Sequence, residues 1–422
     1  MLIHVTEPGD SLWRLAQRYG VRIDQIIQAN QFPNPDQLVV GQAVLIPVPY
    51  QTHTVQPGET VWSIAQRYGT TVDRIVQLNQ LANPNQINAG MVLVVPEGPK
   101  PTIDVNAFIF EGQGRDEIDS LGSLLTYLTP FAYEVREDGS LSALNDEEQI
   151  EAARQNNIVP MMSIINFTPQ VAGSDLASLI LNDVNRQNRL LDNIVTTMRN
   201  KGYQGLNVDF EFVYPQDREA YNQFLRRAAE RLHQEGFFLS TSLAPKRRAD
   251  QPGLLYEAHD YAAHGEIADF VILMTYEWGY RLGPPQPISP IDQIRRVLDY
   301  AVTVIPRNKI MMGFQIYARD WLLPHVQGQE AETFSVQEAL RRAAQYRTAI
   351  QYDFNAQSPF YRYVDEQGRR HEVWFEDARS AKAKFDTAVA YGLKGISYWV
   401  LGYPFPQNWV LLGDTFQVRK RG

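Results

Sequence analysis

From residue 103 onward, short apolar runs of β-forming residues alternate with helical patterns eight times, and few folds accommodate that order. The runs are Ile103–Phe110, Tyr127–Val135, Val159–Ile165, Gly205–Phe212, Phe237–Leu243, Asp269–Thr275, Lys309–Ile316 and Gly395–Val400. Most are apolar on both faces, as parallel strands covered by helices on either side must be. Between them, Asp217–Gln234 sets Tyr221, Phe224, Leu225, Ala228 and Leu232 on one helical side, and Ser289-Pro290-Ile291 reads as an N-cap followed by Pro at the first helical position. Eight such units in about 320 residues predict an α/β fold, a (β/α)8 TIM barrel. A doubly wound open sheet competes, but no Gly-rich phosphate loop follows the first run. About 75 residues separate the seventh and eighth runs, too many for a bare loop. A helix over Ser335–Tyr346, strands at Ile350–Phe354, Phe360–Asp365 and Arg370–Phe375, and a turn at Glu366-Gln367-Gly368 predict a small α+β insertion over about 319–377.

The first hundred residues hold a duplication. His4 recurs as His53, Gly9 as Gly58, Trp13 as Trp62, Asn30 as Asn79, Gly41 as Gly90 and Pro47 as Pro96, each pair 49 residues apart without gaps. Each copy reads as strand, helix, helix, strand. Asp10 or Ser11 is placed to cap a first helix carrying Leu12, Trp13, Leu15, Ala16 and Tyr19. Gly20 ends it, and Ile23, Ile26, Ile27 and Ala29 follow at helical spacing. The chain then divides into repeats over 1–48 and 51–97, a Pro/Gly linker over 98–102 and the barrel over 103–422.

A net charge of −9 argues against nucleic acid as a partner. The one tight basic cluster, Arg419-Lys420-Arg421, reads as a frayed tail. There are no cysteines and the seven histidines are scattered, so neither a metal nor another cofactor is expected. No apolar run reaches the roughly 18 residues of a membrane span. Residues 1–9 lack the basic start and apolar stretch of a signal peptide, so export through the Sec route is not expected.

Chemistry concentrates on the fourth run. On a strand, residues two apart face the same way. Leu206, Val208, Phe210 and Phe212 are therefore predicted to face the helices, and Asn207, Asp209 and Glu211 to climb the interior toward the C-terminal mouth, where barrel active sites lie. Three polar groups in a dry interior are costly unless they hydrogen-bond one another or do chemistry. Neighbouring carboxyls push their pKa values apart, so Glu211, nearest the mouth, is the expected acid and Asp209 its charged partner. A buried ion network without catalysis remains open on this pattern alone.

The repeats resemble LysM domains, through Pro8-Gly9-Asp10-Ser11 and Pro57-Gly58-Glu59-Thr60, the Arg-Tyr-Gly helix ends, the Asn closing the second helix and the final Val/Ile-Pro. That resemblance implies binding of N-acetylglucosamine glycans, peptidoglycan or chitin, by Gly9, Asp10, Ser11 and Asn30 and by Gly58, Glu59, Thr60 and Asn79. The barrel resembles glycoside hydrolase family 18. Asn207-x-Asp209-x-Glu211 is similar to its DxxDxDxE signature, Met274-Thr275-Tyr276-Glu277 to its MxYD, Trp399 to its floor tryptophan, and the insertion to its insertion domain. The family implies retaining, substrate-assisted hydrolysis. Glu211 protonates the glycosidic oxygen, Asp209 orients the substrate acetamide, and the Tyr276 hydroxyl bonds the acetamide carbonyl. Trp399 stacks under the sugar, with Asn207, Glu277, Trp278, Gln315 and Tyr317 completing the sugar-binding set. Gln204, Asn207 and Glu277 depart from the family pattern, and Ser163-Ile164-Ile165-Asn166 lacks its SxGG. The fusion of both parts, with Met274–Gly279 and Tyr317–Trp321, is most similar to the spore cortex fragment-lytic N-acetylglucosaminidases, which implies spore peptidoglycan as partner and the spore cortex or coat as location. A chitinase and a catalytically silent coat protein are the alternatives, and the retained Glu211 speaks against the second.

Overall fold

The computed structural model of the chain describes residues 1–48, 50–96, 99–168 and 173–421, so Glu97, the last residue of the expected second repeat, and Gly98, the first of the expected linker, lie outside it. Among the described residues, eight parallel strands close into a barrel: Thr102–Phe110, Tyr127–Phe131, Val159–Ile165, Gly205–Asp209, Phe238–Leu243, Phe270–Leu273, Ile310–Gln315 and Gly395–Trp399, first to eighth in chain order. The eighth pairs with the first, from Gly395 opposite Asp104 to Tyr398 opposite Ala107. Helices pack outside; Arg218–Gln234 buries Tyr221, Phe224, Leu225, Ala228 and Leu232 in one core with Leu206, Val208 and Phe210. Ser289, expected to cap the helix Ile291–Val304, instead donates to the Thr275 carbonyl at 3.1 Å. No helix among the described residues is long and apolar enough to cross a membrane.

Polar side chains share the lumen with apolar ones such as Phe108, Met161 and Met311, and at its lower levels several of them pair with one another. Asn106 Nδ2 donates to Ser397 Oγ at 3.0 Å, and Thr129 Oγ1 to Asn106 Oδ1 at 2.8 Å. At the N-terminal end of the first strand, Asp104 is fully buried. Lys394 (2.9 Å), Arg421 (3.0 Å) and Arg419 (3.1 Å) surround it. The basic tail is therefore anchored rather than frayed, because a buried carboxylate needs countercharge. Gln417–Val418 also adds to the first strand, and Lys420 Nζ donates to the Leu125 carbonyl at 2.8 Å.

After the seventh strand the chain builds a five-stranded antiparallel sheet ordered Glu332–Ser335, Tyr317–Leu323, Arg370–Trp374, Ser358–Val364, Gln351–Asp353, with the helix Val336–Gln345. The first two of these strands have no counterpart in the sequence reading. Each N-terminal repeat is a βααβ unit: Leu2–Val5, Leu12–Tyr19, Ile23–Asn30, Ala43–Ile46 in the first, and Tyr50–Thr54, Val61–Arg67, Val72–Asn79, Val92–Pro96 in the second. Leu12, Leu15 and Ala16 are buried as expected, but Trp13 and Trp62 are 61% and 65% exposed and do not belong to the apolar face.

The first repeat is docked on the barrel. Ala29, Val39, Ala43 and Leu45 join a core that includes Ala381, Phe385 and Leu411. Gln407 Nε2 donates to Asn30 Oδ1 (2.7 Å) and the Ala43 carbonyl (2.9 Å), Arg379 Nη2 to the Gly41 carbonyl (3.0 Å), and Ile350 N to the Val40 carbonyl (2.9 Å). A Cβ on Gly41 would lie 1.9 Å from the Ile350 carbonyl oxygen, whereas the equivalent Gly90 faces open space. Both glycines have positive φ, 83° and 88°. Gly41→Ala and Gly90→Ala thus carry the same backbone strain, and only the first breaks the dock. Gly41→Ala is expected to destabilise by about 1–3 kcal/mol more than Gly90→Ala, read by thermal unfolding and by faster amide exchange at residues 39–46.

Candidate active site

The ladder of the fourth strand ends early. Its last pairs are Ile165 with Asp209 on one side and Thr241 with Val208 on the other. Beyond Asp209, side chains hold the backbone: Asn166 Oδ1 accepts from Glu211 N at 3.2 Å, Asn166 Nδ2 donates to the Phe212 carbonyl at 3.2 Å, and His259 Nε2 meets the Phe210 carbonyl at 2.9 Å. Phe210 still packs among the helices. Phe212, expected there too, is half-buried and meets Phe167 edge-on at 6.1 Å. The strand ends before it, so the alternation no longer governs its direction.

Asp209 is buried beneath the mouth, and Glu211 is half-buried above it. The Ser242 hydroxyl reaches both the Asp209 carboxyl and Asn207 Oδ1, the latter at 3.1 Å. Among the described residues, Asp209 Oδ1 has no protein partner. Burial raises the Asp209 carboxyl to about 7, opposed by the Ser242 hydrogen bond. Burial also raises Glu211, well above the carboxylate range, and the charges of Asp209 and Glu277 push it further. Glu211 is thus the group that keeps its proton. Tyr276 follows the sixth strand. Burial, then the charges of Asp209, Glu211 and Glu277, hold its phenol protonated. Its ring lies parallel to Trp399, 6.3 Å away at 4°. Gly313 makes that pose possible, since a Cβ there would sit 2.8 Å from the Tyr276 ring. Trp399 is wedged edge-on against Phe131 (4.8 Å), Phe108 and Phe110 (both 5.5 Å).

Glu277, at φ 67°, is clamped by Arg319 at 2.7 and 2.8 Å and by the Tyr317 hydroxyl. Tyr317 is 2% exposed, so its hydroxyl serves Glu277 rather than an open cleft. Asn207, expected to bind sugar, is fully buried below Asp209, with its amide donating to Ser240 Oγ at 3.1 Å. Gln315 is also fully buried and donates to Glu376 Oε1 at 3.1 Å, which is itself ion-paired with Lys384 at 2.7 Å. Asn207 and Tyr317 thus spend their polar atoms within the protein, whereas Gln315 Oε1 has no protein partner among the described residues. Trp278 is half-buried, with its backbone tied to Ile288 and Gln286. The sequence reading missed Arg319, Asn166, His259 and Ser242.

The repeat residues are largely committed within their own units. Ser11 and Thr60 cap helices, accepting from Arg14 N and Ser63 N. Asp10 is bonded by His4 Nε2 (2.9 Å) and Glu7 N (2.8 Å), and Glu59 by His53 Nε2 (2.5 Å) and Gln56 N (2.8 Å). Gly9 and Gly58 turn the chain at φ 91° and 84°. Asn30 and Asn79 tie the second helix to the return strand through Leu45 and Val94, with Asn30 only 2% exposed, so neither amide is free for a glycan. A groove of about 300 Å³ does open in the first repeat, with Asp10, Ser11 and the missed Trp13 on one side and Ile27, Asp36 and Leu38 on the other. Retention of a tryptophan in both copies was the signal that could have pointed to Trp13.

At the barrel mouth, then, a protonated carboxyl stands over a second acid, facing a phenol and a flat indole. Such a set can protonate a leaving oxygen and hold a polar substituent against an aromatic floor. The family description "Glycosyl hydrolases family 18" matches residues 113–403, and "LysM domain" matches 4–47 and 53–96. The chain is 52% identical to the cortical fragment-lytic enzyme of Bacillus subtilis (strain 168), over 100% of this chain and 99% of that one. It superposes on the spore cortex-lytic enzyme SleL of Bacillus megaterium QM B1551 with a TM-score of 0.89 at 41% identity, covering 100% and 99% of the two chains. The Bacillus cereus spore cortex-lytic enzyme SleL gives the same TM-score, 0.89, at 40% identity and the same coverage, 100% and 99%. The chain belongs to glycoside hydrolase family 18 and carries two LysM domains ahead of its barrel.

Proposed function

We propose that this chain is an N-acetylglucosaminidase of spore cortex peptidoglycan, hydrolysing β-1,4 glycosidic bonds with retention at the anomeric carbon. The observation that carries this reading is the placing of Glu211. It sits at the open end of the barrel, its carboxyl raised by burial and by the charges of Asp209 and Glu277, over Asp209 with one free oxygen.

The chemistry follows from those groups. The Glu211 O–H protonates the glycosidic oxygen as the bond from that oxygen to the anomeric carbon breaks. The acetamide carbonyl oxygen of the same sugar bonds to the anomeric carbon on the opposite face, giving an oxazolinium ion, so no protein nucleophile is needed. The free Asp209 oxygen accepts the acetamide N–H and stabilises the developing positive charge. The Tyr276 hydroxyl donates to the acetamide oxygen, and Trp399 supports the sugar face. Glu211, now a carboxylate, takes a proton from water as that water attacks the anomeric carbon and the oxazolinium ring opens. Glu277, Arg319 and Tyr317 keep the Tyr276 segment in place, and Trp278 flanks it. The two LysM domains hold the glycan; two weak sites on one chain gain from the high local concentration of the second. In the first, the groove beside Asp10, Ser11 and Trp13 is the place of contact. The spore cortex or coat is the location that fits this substrate.

Glu211→Gln is expected to lower kcat on purified cortex glycan by about 10²–10⁴-fold with KM nearly unchanged, and to abolish the new reducing N-acetylglucosamine ends seen by mass spectrometry. Muramic reducing ends from the wild type would overturn the assignment, and faster cleavage of chitin oligosaccharides than of cortex glycan would make it a chitinase. Asp209 supplies a second expectation. Its carboxyl ionises near 4 in an unfolded chain but only at about 7 in the fold. Between those values the fold holds the extra proton, so stability falls as pH rises through that window. Asp209→Asn removes this cost: its Tm is expected to exceed that of the wild type by several degrees at pH 8, with the gap narrowing toward pH 4, while hydrolysis is lost. Calorimetry across pH checks the sign, and a gap that widens on acidification would overturn it.

A further inference from the structure

We infer that His259 and Asn166 are positioning residues for the acid, together forming a splint that takes over from the fourth strand where its ladder stops. The inference rests on the reading of Glu211 as the acid. Backbone groups past a strand end still need partners when buried. After Asp209, neither neighbouring strand continues the pairing. His259 and Asn166 approach the unpaired segment from opposite sides and bond the three residues that set the acid's place, Phe210, Glu211 and Phe212.

The proton positions on His259 follow from its partners. Ala244 N can only donate, and it donates to Nδ1 at 2.8 Å. Nε2 therefore carries the hydrogen and gives it to the Phe210 carbonyl at 2.9 Å. The ring is fully buried, and burial, with the Lys246 ammonium nearby, lowers its pKa to about 4, so it stays neutral in this one form at ordinary pH. The residue is itself held, because Lys246 Nζ donates to the His259 carbonyl at 3.0 Å. On the other side, Asn166 is 2% exposed. Its Oδ1 accepts from Glu211 N, and its Nδ2 is shared between the Phe212 carbonyl (3.2 Å) and the Gly173 carbonyl (3.3 Å). Neither side chain bonds the Glu211 carboxyl. They act on its backbone, and so on the distance between its proton and the scissile oxygen. Displacement of a reacting group by about 1 Å costs roughly 10²-fold in rate.

Two substitutions at His259 separate placement from packing. In His259→Gln the amide nitrogen falls near the place of Nε2 and keeps the donor to Phe210. In His259→Asn the amide oxygen falls near Nδ1, keeping the acceptor for Ala244 but losing that donor. Full-length His259→Asn is expected to lose about 10–10²-fold in kcat on cortex glycan, with KM within about twofold, and His259→Gln to recover most of it. Asn166→Ala, which releases Glu211 from the other side, is expected to show the same split between kcat and KM and decides the matter if His259→Asn fails to fold. Equal losses in the Asn and Gln variants, or losses carried by KM, would overturn the splint. The wild type and Glu211→Gln are assayed alongside. If Glu211→Gln keeps its rate, the reading of the acid fails; if Glu211→Gln is silent while His259→Asn and Asn166→Ala keep theirs, only the splint fails.

Discussion

Closing eight strands on themselves leaves no room for solvent along the axis, and every inward polar group must then be answered by the protein or keep a proton. The lumen meets that demand differently at each level. At the base, the Asp104 carboxylate is ringed by Lys394, Arg419 and Arg421. Midway, Asn207 stands where the family places an acid and is bridged by Ser240 and Ser242, so no charge has to be balanced there. At the top the compensation stops. Among the described residues Asp209 keeps one oxygen without a partner, and Glu211 is left with its proton. Reactivity is expected where pairing is withheld, and in the proposed function a substrate amide and a glycosidic oxygen supply the missing partners.

The same logic extends sideways. Glu277 would add a third charge to the mouth, but Arg319 and Tyr317 bind it from the first strand of the insertion. The insertion therefore neutralises one wall of the site, and Glu277 influences Glu211 and Tyr276 from a fixed position. Gln315, Glu376 and Lys384 form a buried support at the other end of that insertion.

Much of this was legible in the residues themselves. Apolar runs on both faces marked the eight barrel strands, and the two-residue period of Leu206, Val208 and Phe210 against Asn207 and Asp209 told inside from outside. Periodicity failed where the partner was distant in sequence. Nothing local says that the ladder ends at Asp209, and the side chains that bond the backbone beyond it, Asn166 and His259, lie 45 and 48 positions from Glu211. Arg319 reads as an ordinary insertion residue until folding brings it to Glu277. Asn30 and Asn79 mark the repeats reliably, yet their amides brace the return strand, so a motif residue turned out to hold shape rather than offer a surface. Trp13 was misplaced for the opposite reason: helical spacing admits it to the apolar face, and only the packing of Leu12 and Leu15 leaves it outside. The tail failed on charge, since the buried acid that holds Arg419 and Arg421 is some three hundred residues away.

That tail also bears on how the barrel closes. The first strand finds its neighbour on one side, Gly395–Trp399, and the cations that neutralise Asp104 about three hundred residues further along the chain. The first repeat likewise waits for Gln407 before Asn30 and Ala43 gain their outside donor. Both the closing of the barrel and the seating of the first repeat therefore rest on contacts of high sequence separation. Until those contacts form, the chain carries an open sheet edge and an uncompensated acid, the stage at which a chaperone would have most to protect.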